Sequence, residues 1–186
     1  MTFRLLHRFG VCCIMVEDCG AKWGVVALLP MSSSGTPRWW IMYLGQYTYM
    51  LDDKGRLTIP SRYREELPSE VVVTRGMDRC LALYPPRVWQ ELSDKVTSLP
   101  LTSPRGRALR RHFFAPAANL ELDRQGRILI PEHLREYAGL DLSSEVLVIG
   151  LYNFIELWNP QRWQDQNEQQ LAELDEDHGI WEGVDI

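Results

Sequence analysis

The chain has no surplus of positive charge, little histidine or cysteine, and no long apolar run, and each shortage removes a class of function. Lys and Arg number 20 against 25 Asp and Glu, a formal net charge of −5 at pH 7, so the molecule as a whole is no electrostatic sponge for a phosphate polymer. His7, His112, His133 and His178 share no ligand spacing, and Cys12, Cys13, Cys19 and Cys80 form neither a zinc-ribbon nor a disulfide pattern. That usage suits a reducing cytoplasm and calls for no metal or other cofactor. The apolar stretch behind Arg4 and Arg8 is closed by Glu17 and Asp18 with no small-x-small site after it, which does not make a secretory signal. Neither it nor residues 25–29 approach the roughly 20 apolar residues that cross a bilayer. There is no Walker-type glycine loop. The neighbouring carboxylates Asp52 and Asp53 would point to opposite sides of any strand, the wrong geometry for shared acid–base work, and no enzyme is read from the chain.

What the chain does have is the same statement made twice. Leu51-Asp52-Asp53-Lys54-Gly55-Arg56-Leu57-Thr58-Ile59-Pro60 recurs as Leu122-Asp123-Arg124-Gln125-Gly126-Arg127-Ile128-Leu129-Ile130-Pro131, and Arg64-Glu65 is answered by Arg135-Glu136 at the same offset. Leu83-Tyr84 and Arg87-Val88-Trp89-Gln90 correspond to Leu157-Trp158 and Gln161-Arg162-Trp163-Gln164. An internal repeat fixes the architecture before any single motif is weighed. The acids are unevenly spread: residues 164–186 carry eight with no Lys or Arg, whereas residues 42–163 carry sixteen basic and fifteen acidic groups. Only local basic loops on a near-neutral body could meet phosphate.

Within each copy the pattern predicts strand, tight loop, strand, with Gly55 and Gly126 where a hairpin loop needs positive φ. Pro60 and Pro131 suit the first turn of a helix, expected over residues 61–67 and 132–138, the second stopped by Gly139. Val71-Val72-Val73 and residues 146–149 read as buried strands, and residues 80–84 and 154–158 as closing ones, so each unit is β-β-α-β-β. Cys80 falls within such a run as a small buried hydrophobe. Helices follow from Pro86, with Val88, Trp89, Leu92 and Val96 on one face, and from Pro160, with Trp163, Leu171 and Leu174. A third, capped by Ser103, holds Arg105, Arg107, Arg110 and Arg111, the densest positive charge in the chain. It is read either as a flank for nucleic acid or as a surface between subunits. The tryptophans Trp89, Trp158 and Trp163 are read as packing. One unit of this size exposes too much sheet to stand alone, so the two pack together in an α+β, β-rich fold.

Asp-x-x-x-Arg, with Gly directly before the Arg and an apolar alternation ending in Pro after it, twice in register, resembles the MraZ family of bacterial DNA-binding regulators. Members of that family are two tandem copies of the AbrB/SpoVT-type swapped-hairpin module. The resemblance runs from Met42 to about Gln164 and takes in Tyr43-Leu44-Gly45-Gln46-Tyr47, Thr74-Arg75-Gly76 and Leu83-Tyr84-Pro85-Pro86. It implies two AbrB-like units, residues 46–88 and 117–160, forming one pseudo-dimeric barrel. A helical linker, 89–116, would join them, and a C-terminal helix and acidic tail, 161–186, would follow. Residues 1–41, ahead of the Met42 at which the family pattern starts, are expected to be a non-native or disordered extension.

Physically, the Asp of each loop can accept from turn amides and hold the Arg so that its guanidinium points outward. Arg reads guanine O6 and N7 bidentately and also suits phosphate. The residues alone equally allow an ion pair that only stabilises the turn, worth about 0–1 kcal/mol if exposed. The resemblance assigns DNA contact to Arg56, and to Arg127 second because its loop lacks a Lys. Lys54 and Arg124 are either phosphate contacts or solvated charges, and Asp52, Gly55, Asp123 and Gly126 build the loops. The implied partners are double-stranded DNA bearing short G-rich direct repeats upstream of the chain's own cell-division and cell-wall operon, and further copies of the chain in a ring of six or more. The implied place is the cytoplasm, at the nucleoid. An antitoxin-like protein of the same fold, with another protein as its partner, and a structural ring with vestigial loops remain as alternatives.

Overall fold

The computed structural model describes residues 4–8, 11–17, 23–30 and 42–176, with side chains from 42 to 173. The chain divides into two compact units, Met1–Met42 and Tyr43–Ile186. The first contains three strands, β1 (Arg4–Arg8), β2 (Val11–Glu17) and β3 (Trp23–Pro30), paired antiparallel in that order. Residues 31–41 lie outside the described residues, as does the tail from 177 onward.

The second unit begins with β4 (Tyr43–Met50), β5 (Arg56–Thr58), the short α1 (Ser61–Arg64), β6 (Glu70–Arg75) and β7 (Leu81–Tyr84). Two helices follow, α2 (Pro86–Ser98) and α3 (Pro104–Phe114). The pattern then repeats as β8 (Ala118–Glu121), β9 (Arg127–Leu129), α4 (Glu132–Ala138), β10 (Glu145–Tyr152) and β11 (Phe154–Trp158), ending in α5 (Pro160–Glu176). Pro60 and Pro131 sit one place earlier than expected, as the caps that precede α1 and α4, with extended ψ of 136° and 146°.

Pairing exchanges the two halves. The larger sheet runs β4-β10-β11-β7-β6-β8, so β4 of the first half lies against β10 of the second, and β8 of the second against β6 of the first. The expected hairpin between β4 and β5 is not a hairpin in its pairing: only a bridge from Leu51 to Leu57 joins them, and β5 forms its own two-stranded ribbon with β9. The reason lies in the side chains. Leu57 and Ile128, directly opposed, and Ile59 and Ile130 beyond them are buried to 1% or less, a burial that needs both halves and contributes about 1.5–3 kcal/mol per side chain. Single backbone bonds repeat the exchange symmetrically: Ile59 N donates to Gly126 O and Ile130 N to Gly55 O, while Leu51 N donates to Ser144 O and Leu122 N to Ser69 O.

The flanking helices cover this core as the pattern predicts at α2, where Val96 is buried and Val88, Trp89 and Leu92 are half-buried. Trp158 is buried and packs edge-on against Trp163, and Trp89 lies against Tyr84 and Phe114. Cys80 is buried beside Leu147 and Trp158, and burial pushes its thiol up to about 12. Leu171, expected on the packed face of α5, is 52% exposed instead; the side chain of Leu174 lies outside the described residues. In α3, capped by Ser103 Oγ, Arg107 donates to Leu101 O and Thr102 O, and Arg110 to Thr97 O and Leu99 O. Two of the four arginines are therefore spent on the carbonyls ending α2 and the turn after it, and Arg105 and Arg111 are left exposed.

Candidate nucleic-acid interface

Each Asp-x-x-x-Arg segment folds into a turn closed from both ends. Asp52 N donates to Arg56 O at 3.0 Å and Gly55 N to Asp52 O at 3.1 Å; in the second copy Asp123 N reaches Arg127 O at 2.8 Å and Gly126 N reaches Asp123 O at 2.9 Å. The carboxylates fill the turns. Oδ1 of Asp52 accepts from the amides of Lys54 and Arg56, and Oδ1 of Asp123 from those of Gln125 and Arg127. The reversal requires a left-handed residue, supplied by Gly55 at φ +79° and Gly126 at φ +73°.

The second carboxylate oxygen holds the arginine, and here the copies differ. Asp52 Oδ2 takes only Nε of Arg56, at 2.6 Å, whereas Asp123 Oδ2 takes both Nε, at 2.9 Å, and Nη2, at 2.7 Å, of Arg127. Among the described residues Nη1 and Nη2 of Arg56 make no hydrogen bond. At Asp52 partial desolvation opposes ionisation, but the Arg56 amide, the Arg56 guanidinium and the Lys54 amide outweigh it and hold the carboxyl below its ordinary range. At Asp123 the Arg127 guanidinium, with the Arg127 and Gln125 amides, draws the carboxyl down to about 2. Both acids are ionised at neutral pH, and the arginines are pinned on rigid turns.

Register brings the two arginines to one surface. Arg56 lies opposite Leu129 and Thr58 opposite Arg127, while Leu57 and Ile128 between them point into the core. Since alternate residues share a face, Arg56, Thr58, Arg127 and Leu129 share the outward one, with the arginines diagonal and about 8 Å apart at Cα. The two turns cap opposite ends of this ribbon, with Lys54 at one end and Arg124 at the other, both exposed and outside any ion pair among the described residues.

Two further arginines, whose signal in the sequence was only their matching offset, brace the turns from the opposite half. Arg64 of α1 donates through Nη1 to Gln125 O and lies flat against Gly126; Arg135 of α4 donates through Nε to Ile130 O, and a Cβ on Gly55 would sit 3.1 Å from that nitrogen. The second turn is thus built by one repeat and held by a hydrogen bond from the helix of the other, whereas at the first turn Arg135 packs against Gly55 while its bond stays within its own repeat. Among the described residues no group of three or more His, Cys, Asp and Glu could hold a metal ion, and no helix is long and apolar enough to cross a membrane.

Comparison with known proteins matches the family described as "MraZ protein, putative antitoxin-like" over residues 42–112 and again over 113–179. The transcriptional regulator MraZ of Thermomicrobium roseum is 51% identical over 132 residues, 71% of this chain and 92% of the relative. The protein of the same name from Roseiflexus castenholzii is 51% identical over 124 residues, 67% of this chain and 85% of its own length. That of Halothermothrix orenii is 46% identical over 145 residues, 75% of this chain and all of its own.

Proposed function

The chain belongs to the MraZ family, and on that premise we propose that it is a transcriptional regulator binding short G-rich direct repeats in the double-stranded DNA upstream of its own cell-division and cell-wall operon. The observation that carries the reading is the pair of Asp-held arginines facing outward on a single two-stranded ribbon. A ribbon of that width enters the B-DNA major groove, where arginine is the commonest reader of guanine. Arg56 is the principal base reader in this account, because its two terminal nitrogens are both free for a bidentate contact. Arg127, half committed to Asp123, contributes less, and Lys54 and Arg124 at the two ends take phosphates. Asp52, Gly55, Asp123 and Gly126 set the turns rather than touch DNA.

The exchanged pairing of the halves supports a single pseudo-dimeric barrel made by one chain from units at residues 46–88 and 117–160. One such body neutralises few phosphates, so specific binding requires several. Leu44 and Leu151, opposed on β4 and β10, and the neighbouring Tyr152 are 45%, 39% and 58% exposed and offer an apolar contact for a second copy. A closed ring of six or more, at the nucleoid, would repeat that contact and present equivalent ribbons side by side. The test is a mobility shift at stated salt with the duplex upstream of the gene. Retarded complexes that resist competition by scrambled duplex support the reading, and equal competition refutes it.

A further inference from the structure

The outward face of the ribbon holds one residue that neither charge nor core packing explains. Leu129 is 56% exposed between Ile128 and Ile130, which are only 0% and 1% exposed. The matching position of the first repeat is Thr58, so the apolar side chain is peculiar to one end of the ribbon. Leu129 stands directly opposite Arg56, whereas Thr58 stands opposite Arg127. We propose that Leu129 is a specificity-determining residue, packing against the C5-methyl of a thymine beside the guanine that Arg56 reads.

The inference rests on the DNA-binding reading above and deepens it. Facing residues of an antiparallel pair stand about 4.5–5.5 Å apart at Cα, and successive bases of a strand rise about 3.4 Å, so side chains from one such pair reach neighbouring base pairs. Only thymine carries a methyl group in the major groove, and apolar side chains are the ones that recognise it. A leucine more than half exposed adds little to the core, but beside a base-reading arginine it distinguishes thymine from cytosine on the adjacent step. The other end of the ribbon offers only the single methyl of the smaller Thr58, beside an arginine already engaged by Asp123.

The experiment replaces each thymine of the upstream duplex singly with uracil, which removes only the methyl, and measures affinity for the full chain. At one position the natural protein should lose about fourfold, the loss expected for one methyl left unburied. Leu129→Ala should lose that factor once for each ribbon engaged on the thymine duplex and bind the thymine and uracil forms equally, while Leu129→Met keeps the discrimination. No uracil-sensitive position in the natural protein, or discrimination retained by Leu129→Ala, overturns the inference. So does a change of particle mass in Leu129→Ala with methyl sensitivity intact, which would give the side chain to a subunit contact. Competition by scrambled duplex is the separate control: if it displaces the natural protein as readily as the upstream duplex does, the DNA-binding reading itself fails, whereas operator preference retained by Arg56→Ala removes only the first turn from the interface.

Discussion

Replacing Gly126 with alanine tests the exchange of the two halves, because a methyl group at that point meets a side chain from the other repeat. Two costs can be separated. Gly55 and Gly126 both stand in the left-handed region, at φ +79° and +73°, and a Cβ there costs about 1–2 kcal/mol. At Gly55 the added carbon would lie 3.1 Å from Arg135 Nε and 3.4 Å from Ile130 O, tight but relieved by a small shift. At Gly126 it would overlap Cδ, Nε and Nη1 of Arg64, so the guanidinium must leave and its bond to Gln125 O is lost, adding about 0.5–1.5 kcal/mol. Gly126→Ala should therefore be less stable than Gly55→Ala by about 1 kcal/mol in urea unfolding, near 3–5 °C in Tm for a domain of this size. Adding Arg64→Ala should remove that excess and leave the backbone cost, since the two mutations share one contact. Equal stability of the two glycine variants, or strict additivity with Arg64→Ala, would refute the bracing of one repeat's turn by the other's helix.

Acid should release the second turn late. Asp123, drawn from 3.8 to about 2, is stabilised in its ionised form. The advantage of the natural protein over Asp123→Asn is thus full above about pH 4 and fades as pH falls through about 2, read by urea midpoints across that range. A gap that persists at pH 1.5 would contradict this. A chain started at Met42 should fold and bind DNA as the whole does, because the second unit has its own core; a Tm lowered by several degrees would show that the earlier strands support it. Light scattering should give a particle of six or more copies, and half a helical turn inserted between operator repeats should abolish tight binding, since equivalent ribbons would then face away from the groove. A dimer, or indifference to the insertion, would end the ring account.

The turns were legible from residue types alone, because Asp accepting from two amides, Gly in the left-handed region and Arg four residues after the Asp is chemistry complete within five residues. The buried runs at residues 71–73 and 146–149 were legible for the same local reason. Partner choice was not. Three residues of alternation show which face of β5 is buried but not whether β4 or a strand in the other repeat lies beside it, and the isoleucines and leucines at the centre decide that only once both halves are present. The sequence ranked Arg56 above Arg127 only by the neighbouring Lys54; that they also differ in which nitrogens the aspartate takes is a matter of side-chain geometry that no pattern marks. The arginines of α3 read as a positive patch, yet Arg107 and Arg110 are consumed by carbonyls that no pattern marks as unpaired.

Whether the two arginines read DNA is decided by the affinity of the chain and of Arg56→Ala and Arg127→Ala for the upstream duplex and for a scrambled one, at one fixed salt concentration. Arg56→Ala should lose about 1–3 kcal/mol of specific binding per loop engaged, enough across an oligomer to erase the preference for the operator, while stability falls only by the small contribution of its partly exposed pair with Asp52. Arg127→Ala should lose less. Preserved preference in Arg56→Ala would remove the first turn from the interface, and a larger loss in Arg127→Ala would reverse the order of the two.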